Sequence, residues 1–231
     1  MIKKYISYTI ILLFGIIYGF SIHKYNIFPY NYLKKIVKFS SPNGNALLTN
    51  EDKNYGPWAI GIFSGPTPPF DLSDTGIIKN PILSYKDITD IDAEFVADPF
   101  IIIKDSTYYM FFEVMNTKTS QGDIGYAESR DALHWRYKGI ILDEKFHLSY
   151  PYVFKWKEDY YLIPESNNDL SVRLYKASPF PRKWNYIGNL LSGYHFVDPS
   201  IVRYKGKWWM FLSDTHNDFL NLYYSDELIK D

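Results

Sequence analysis

The stretch "DPFIIIKDSTYYMFF" (98–112) returns a hundred residues later as "DPSIVRYKGKWWMFL" (198–212). Each copy sets Asp-Pro before an apolar run, then a short polar turn, then paired aromatics and a second apolar run. "YPYVFKWKEDYYLIP" (150–164) follows the same grammar with Tyr in the Asp position. The three copies register without gaps: Pro99, Pro151 and Pro199 are each followed ten residues later by an aromatic residue, Tyr109, Tyr161 and Trp209. A fixed-period recurrence of this kind marks an internal structural repeat.

Working outward from these strings, each unit reads as a meander of short strands. After the first two come "GDIGYAES", "SVRLYKAS" and "LNLYYSD", and then "WRYKGIIL" and "WNYIGNLL". Ser129 and Ser178 each precede a Trp, Trp135 and Trp184, by six residues, and the same step from Ser225 reaches Asp231. No segment after Ile22 carries a sustained helical stripe, so the remainder is expected to be all-β. Four-stranded units of about 50 residues with aromatic and turn markers suit a β-propeller. A β-sandwich is the alternative, but it does not explain gapless recurrence. The expected fold is an incomplete propeller with three blades present. Residues 55–92, with "PWAIGIFSGPTPPF" and "NPILSYKDITDI", are expected to add short extended pieces, which could supply an outer strand to a last blade that lies outside this chain.

Composition narrows the function classes. A net charge of -1 over 231 residues gives no basic field for nucleic acid, and the absence of cysteine excludes disulfides and thiolate chemistry. Aromatics make up 19% of the chain, which favours strands. Residues 1–22 begin with Lys3 and Lys4 and continue into an uncharged, mostly apolar run over residues 5–22, expected to be one transmembrane signal anchor. A cleaved signal peptide is the rival reading. Residues 23–53 are then a juxtamembrane linker and residues 54–231 the truncated propeller domain, placed on the extracytoplasmic or lumenal side of a single-pass protein.

The candidate chemistry follows from the repeat. At the start of an innermost propeller strand a side chain points to the central funnel, and Asp98 and Asp198 both occupy that place. Two carboxylates across a cavity suit glycoside hydrolysis, in which one activates water and another protonates the leaving oxygen. The bland alternative is that each Asp caps its own strand entry. Fourteen residues after each proline stand Glu113, Glu165 and Ser213, the last followed by Asp214. A carboxylate directly after an apolar strand is costly to bury unless paired or wet, so a polar site at the strand ends is expected. Tyr150 and His195 complete the candidate ligand-contacting set. His147 and His195 each lie three residues before an innermost-strand position, Tyr150 and Asp198. Histidine spacings fit no metal site, and no motif calls for a cofactor.

Taken together, "FVADPFII…YYMFFE", "GDIGYAESRDALHW", "LSYPYVFKWKEDYYLIPES" and "FVDPSIVRYKGKWWMF" resemble the five-bladed propellers of glycoside hydrolase family 43. With "WAIGIFSGPTPPFDL" and "NPILSYKDITDIDAEFVADPF", the chain more closely resembles the N-terminal domain of glucosamine inositolphosphorylceramide transferases, over residue 55 to the end. The resemblance implies Asp98 as general base and Asp198 as the residue that orients it. It also implies a general acid on a later blade, beyond residue 231, and a separate glycosyltransferase domain. The implied function is a membrane-anchored carbohydrate-active domain that acts on or positions a glycan or glycolipid head group, alongside a transferase domain or a second chain. A binding-only glycan module and an inactive fragment of a longer protein are the alternatives.

Overall fold

The computed structural model describes residues 52–66 and 71–229. The anchor and most of the linker expected from the sequence lie outside these residues. Among the described residues no helix is long and apolar enough to cross a membrane.

The described chain is built from strands and three short 3-10 turns. A first sheet orders four strands as they come: β3 (Ala93–Lys104), β4 (Thr107–Asn116), β5 (Gln121–Ser129) and β6 (Arg136–Leu142). A second does the same with β7 (Ser149–Trp156), β8 (Asp159–Glu165), β9 (Ser171–Ala177) and β10 (Trp184–Ser192). The third sheet has three strands, β11 (Val197–Tyr204), β12 (Lys207–Ser213) and β13 (Leu220–Ser225). All pairings are antiparallel meanders, and the leading strands lie side by side, β3 against β7 and β7 against β11. These are stacked sheets of the propeller-blade type, with the repeat units of the sequence as the blades.

The sheets stack because period-2 alternation puts apolar side chains on both faces of each. One cluster joins Phe111, Ile124 and Tyr126 of the first sheet to Leu162, Tyr160 and Tyr175 of the second. Another joins Ile163, Val172 and Leu174 of the second to Ile201, Trp208, Met210 and Leu212 of the third. The paired aromatics of the second sheet are split between these junctions, Tyr160 in the first and Tyr161 in the second, since neighbouring residues on a strand face opposite ways.

The segment before β3 supplies short extended pieces, as expected. It forms only a two-stranded ribbon, β1 (Phe63–Ser64) with β2 (Ser73–Asp74), and an isolated bridge from Ile60 to Leu83. Its role is to cover a face: Ile60, Leu83 and Ile88 bury against Val96, Met110, Phe112 and Val114 on the side of the first sheet away from the second. A capping box at Ser84 and Asp87 fixes the 3-10 turn (Tyr85–Asp87) that carries Ile88 into place.

Candidate functional site

The leading strand of each of the three larger sheets carries the same irregularity at the same place. Pairing steps from Ala97↔Glu113 to Phe100↔Phe111, from Ser149↔Glu165 to Tyr152↔Ile163, and from Val197↔Ser213 to Ser200↔Phe211. Two residues on the leading strand, such as Asp98 and Pro99, thus oppose one on its partner, which defines a β-bulge. The bulge falls on the residue before proline. Asp98, Tyr150 and Asp198 adopt left-handed backbone angles, with φ of 52°, 45° and 52°. Aspartate tolerates this region; for a tyrosine it is a strained placement that its surroundings must hold. Proline supplies no N–H, so its loss from the ladder at the bulge leaves nothing unpaired.

The repeated bulge turns Asp98, Tyr150 and Asp198 to one end of the stacked sheets, beside the strand-end residues Glu113 and Glu165. Each bulge is tied to its neighbour by a carboxylate. The Tyr150 N–H donates to Asp98 Oδ2 at 3.3 Å, and the Asp198 N–H donates to Glu165 Oε2 at 3.0 Å. The Tyr150 hydroxyl meets Ser200 Oγ at 3.1 Å, the Tyr152 hydroxyl donates to the Ile201 carbonyl at 2.6 Å, and Phe100 packs edge-on against Tyr150.

Four carboxyl groups therefore converge from three sheets. Glu113 and Glu165 are 5% and 7% exposed, Asp98 is half-buried, and Asp198 is exposed. Burial drives the Glu113 carboxyl up to about 8, with further push from the charges of Asp98 and Glu165. Glu165 is raised to about 7, first by burial and then by Asp198 and Asp98, against the lowering hydrogen bond from the Asp198 N–H. Asp98 is raised as well, mainly by burial, while the Tyr150 N–H pulls it back. Like charges in one half-dry place disfavour joint ionisation, so protons are retained there near neutral pH.

His147 enters this cluster from the turn before β7. Its Nδ1 accepts the Gly122 N–H at 2.9 Å, so in the neutral ring Nε2 carries the hydrogen and faces Glu113 Oε1 at 3.5 Å. Burial lowers its pKa, with Asp98 opposing. With a neutral imidazole beside a protonated carboxyl, this long contact is one between neutral groups. Gly122 is required for it: a Cβ there would overlap the Leu148 carbonyl oxygen and approach Glu113 Oε1 to 2.7 Å and His147 to 2.9 Å.

The remaining expected residues stand at the edge. His195 is exposed and its Nδ1–H donates to the Asn167 carbonyl at 3.1 Å, while Asn167 Nδ2 donates to Glu165 Oε1 at 2.6 Å. Asp214 is turned to its own loop, where Oδ1 accepts the N–H groups of Asp218 and Phe219 and closes the β12–β13 connection. Asn167 and Gly122 were not among the residues expected from the sequence. The recurrence of histidine three residues before Tyr150 was the signal for His147. Among the described residues no group of three or more His, Asp or Glu has the geometry to hold a metal ion.

Comparison with known proteins matches residues 50–229 to the family model described as glucosamine inositolphosphorylceramide transferase 1, N-terminal. The chain belongs to this family. Glucosamine inositolphosphorylceramide transferase 1 of Oryza sativa subsp. indica is 40% identical over 193 residues, covering 78% of this chain and 26% of that protein. The Arabidopsis thaliana protein of the same name is 36% identical over 192 residues, covering 77% of this chain and 25% of that one. This member of the transferase N-terminal family thus spans about a quarter of the length of those relatives. Among solved structures, an exo-beta-1,3-galactanase from Clostridium thermocellum superposes with a TM-score of 0.55 at 16% identity, over 64% of this chain and 36% of that one. An exo-beta-1,3-galactanase from Phanerochaete chrysosporium gives 0.54 at 19% identity, over 68% and 38%. The sheets of this chain thus resemble the blades of family 43 propeller glycoside hydrolases.

Proposed function

We propose that this chain is a membrane-anchored, carbohydrate-active propeller domain that acts on or positions a glycan or a glycolipid head group. The observation that carries the reading is the convergence of Asp98 and Asp198, from equivalent bulges in two different sheets, on the buried carboxyls of Glu113 and Glu165. Carboxyls kept in different protonation states by their surroundings are the equipment of glycosyl chemistry. In the hydrolytic form of this reading Asp98 takes a proton from water and Asp198 orients it. The transferase named in the relatives, and the exo-beta-1,3-galactanases of similar fold, support sugars as the substrate class.

The complete domain in this reading is a five-bladed propeller. Its support is the free face of the third sheet. Val202 and Phe211 are 49% and 39% exposed, although their repeat equivalents Ile102 and Phe111, and Phe154 and Ile163, belong to the inter-sheet cores. The anchor over residues 5–22, the extracytoplasmic or lumenal side, and a partner transferase domain or second chain belong to the same proposal.

The test is turnover and melting temperature of Asp98→Asn. Loss of turnover with an unchanged melting transition supports hydrolysis; unchanged turnover refutes Asp98 as base. A binding-only module is the second reading, favoured by Tyr194, 68% exposed next to His195, as a ring on which a sugar can stack. It predicts saturable sugar binding that survives Asp98→Asn and weakens in Tyr194→Ala.

A further inference from the structure

Glu113 and Glu165 hold equivalent places, each opposite the residue before a bulge, yet the fold uses them differently. Both oxygens of Glu165 are occupied, Oε1 by Asn167 Nδ2 and Oε2 by the Asp198 N–H. The N–H equivalent to that of Asp198 is the one of Tyr150, and it goes to Asp98 rather than to Glu113. Among the described residues, no backbone or amide N–H donates to Glu113. Its polar contact is the Nε2–H of His147, on Oε1 alone, in a space that Gly122 keeps open.

We propose that Glu113 is the proton donor of this site, a carboxylic acid steadied on one oxygen by His147 and paired across the strands with Ala97, the residue before Asp98. The inference rests on the hydrolytic form of the reading above and supplies its acid from the first sheet, where family resemblance points to a later blade. Burial and the neighbouring Asp98 and Glu165 keep Glu113 protonated through neutral pH. The groups that face it are Asp98 on its own sheet, Glu165 on the second, and His147 from the turn between them.

In the step, water attacks the anomeric carbon and gives its proton to Asp98. The glycosidic C–O bond breaks, and the leaving oxygen takes the proton from Glu113, which becomes a carboxylate. Proton return from Asp98 through solvent resets both groups, so that one water is consumed per bond cleaved. Glu165 differs from Glu113 in that both of its oxygens are engaged, by Asn167 and by Asp198.

Two measurements on the full chain test the assignment. In the first, the protein is labelled with 13Cδ-glutamate and titrated by NMR, with Glu113→Gln identifying the resonance. The proposal requires the Glu113 carboxyl to titrate well above the ordinary range. Titration near the ordinary carboxylate value overturns the proposal and leaves the glycan reading standing. In the second, turnover is compared on 4-nitrophenyl and 2,4-dinitrophenyl β-D-galactosides and β-D-glucosaminides. Glu113→Gln should lose about 10²–10⁴-fold on the 4-nitrophenyl compounds and far less on the 2,4-dinitrophenyl ones, whose leaving group needs no proton. Equal loss on both overturns the donor role. Absence of turnover by the wild-type chain on all of them overturns the hydrolytic reading and the proposal with it.

Discussion

Asp98 and Asp198 owe their position to a backbone conformation as much as to their charge. Their φ of 52° lies in a region that aspartate enters at small cost, whereas Tyr150 at 45° is held there by Phe100, Ser200 and the carboxylate of Asp98. Asp98→Asn keeps the shape and the acceptor for Tyr150 N–H while removing the base. Turnover on a glycoside is expected to fall about 10²–10⁴-fold, with the melting temperature unchanged or slightly raised, because a half-buried carboxylate is removed. Steady-state kinetics beside calorimetry checks both halves. Gly122→Ala is the complementary case. Its methyl meets the Leu148 carbonyl, Glu113 and His147, and unfolding in denaturant should show a loss of about 1–3 kcal/mol.

At this scale the sequence yielded the carboxylates but not their partners. Asp98, Asp198, Glu113 and Glu165 were readable because the repeat fixes their register. The Asn167 bond to Glu165 was not, since a loop side chain finds its acceptor only once the strands are aligned. Asp214 carried a readable local signal in "SDTHND", where an Asp followed by polar residues closes a turn on its own backbone.

At the scale of elements, the repeated strands of the first two sheets and the shortened third were visible in the sequence, and their order is that of the structure. The bulge was hidden. It adds one residue to the leading strand without disturbing the constant offset from proline to strand-end Glu, so every copy carries it and no gap betrays it. Residues 55–92 read as short extended pieces, and such pieces are there; what the pattern could not show is that Ile60, Leu83 and Ile88 cover one face of the first sheet. The junctions between sheets carry the stability. Leu162 is fully buried in the first junction and Ile163, its neighbour, in the second. Truncating either to Ala should cost about 2–5 kcal/mol by chemical denaturation. A loss under 1 kcal/mol at both would contradict the stacked arrangement.

Over the whole molecule, the converging carboxyls make stability depend on pH. Glu113 and Glu165 are raised to about 8 and about 7, so their neutral forms are favoured by folding. Their contribution is fully present below the unfolded carboxyl range near pH 4, and is lost as pH rises through the folded values. His147 acts oppositely, since its lowered pKa withdraws stability as pH falls below about 6.5. Between pH 6.5 and 8.5 the carboxyls decide the sign, and the melting temperature should fall with rising pH. Glu113→Gln should flatten that slope; an unchanged slope would mean that the carboxyl is not held neutral.

The central claim is that the converging ends of these sheets bind a sugar. Thermal unfolding of the full chain tests it most directly, run with and without a panel of mono- and oligosaccharides that includes galactose-, glucosamine- and inositol-containing members. Selective stabilisation by one class is predicted: at one hundred times the dissociation constant, binding adds about 2.7 kcal/mol to the folded state. A transition that no sugar raises at millimolar concentration would contradict a carbohydrate site in this domain.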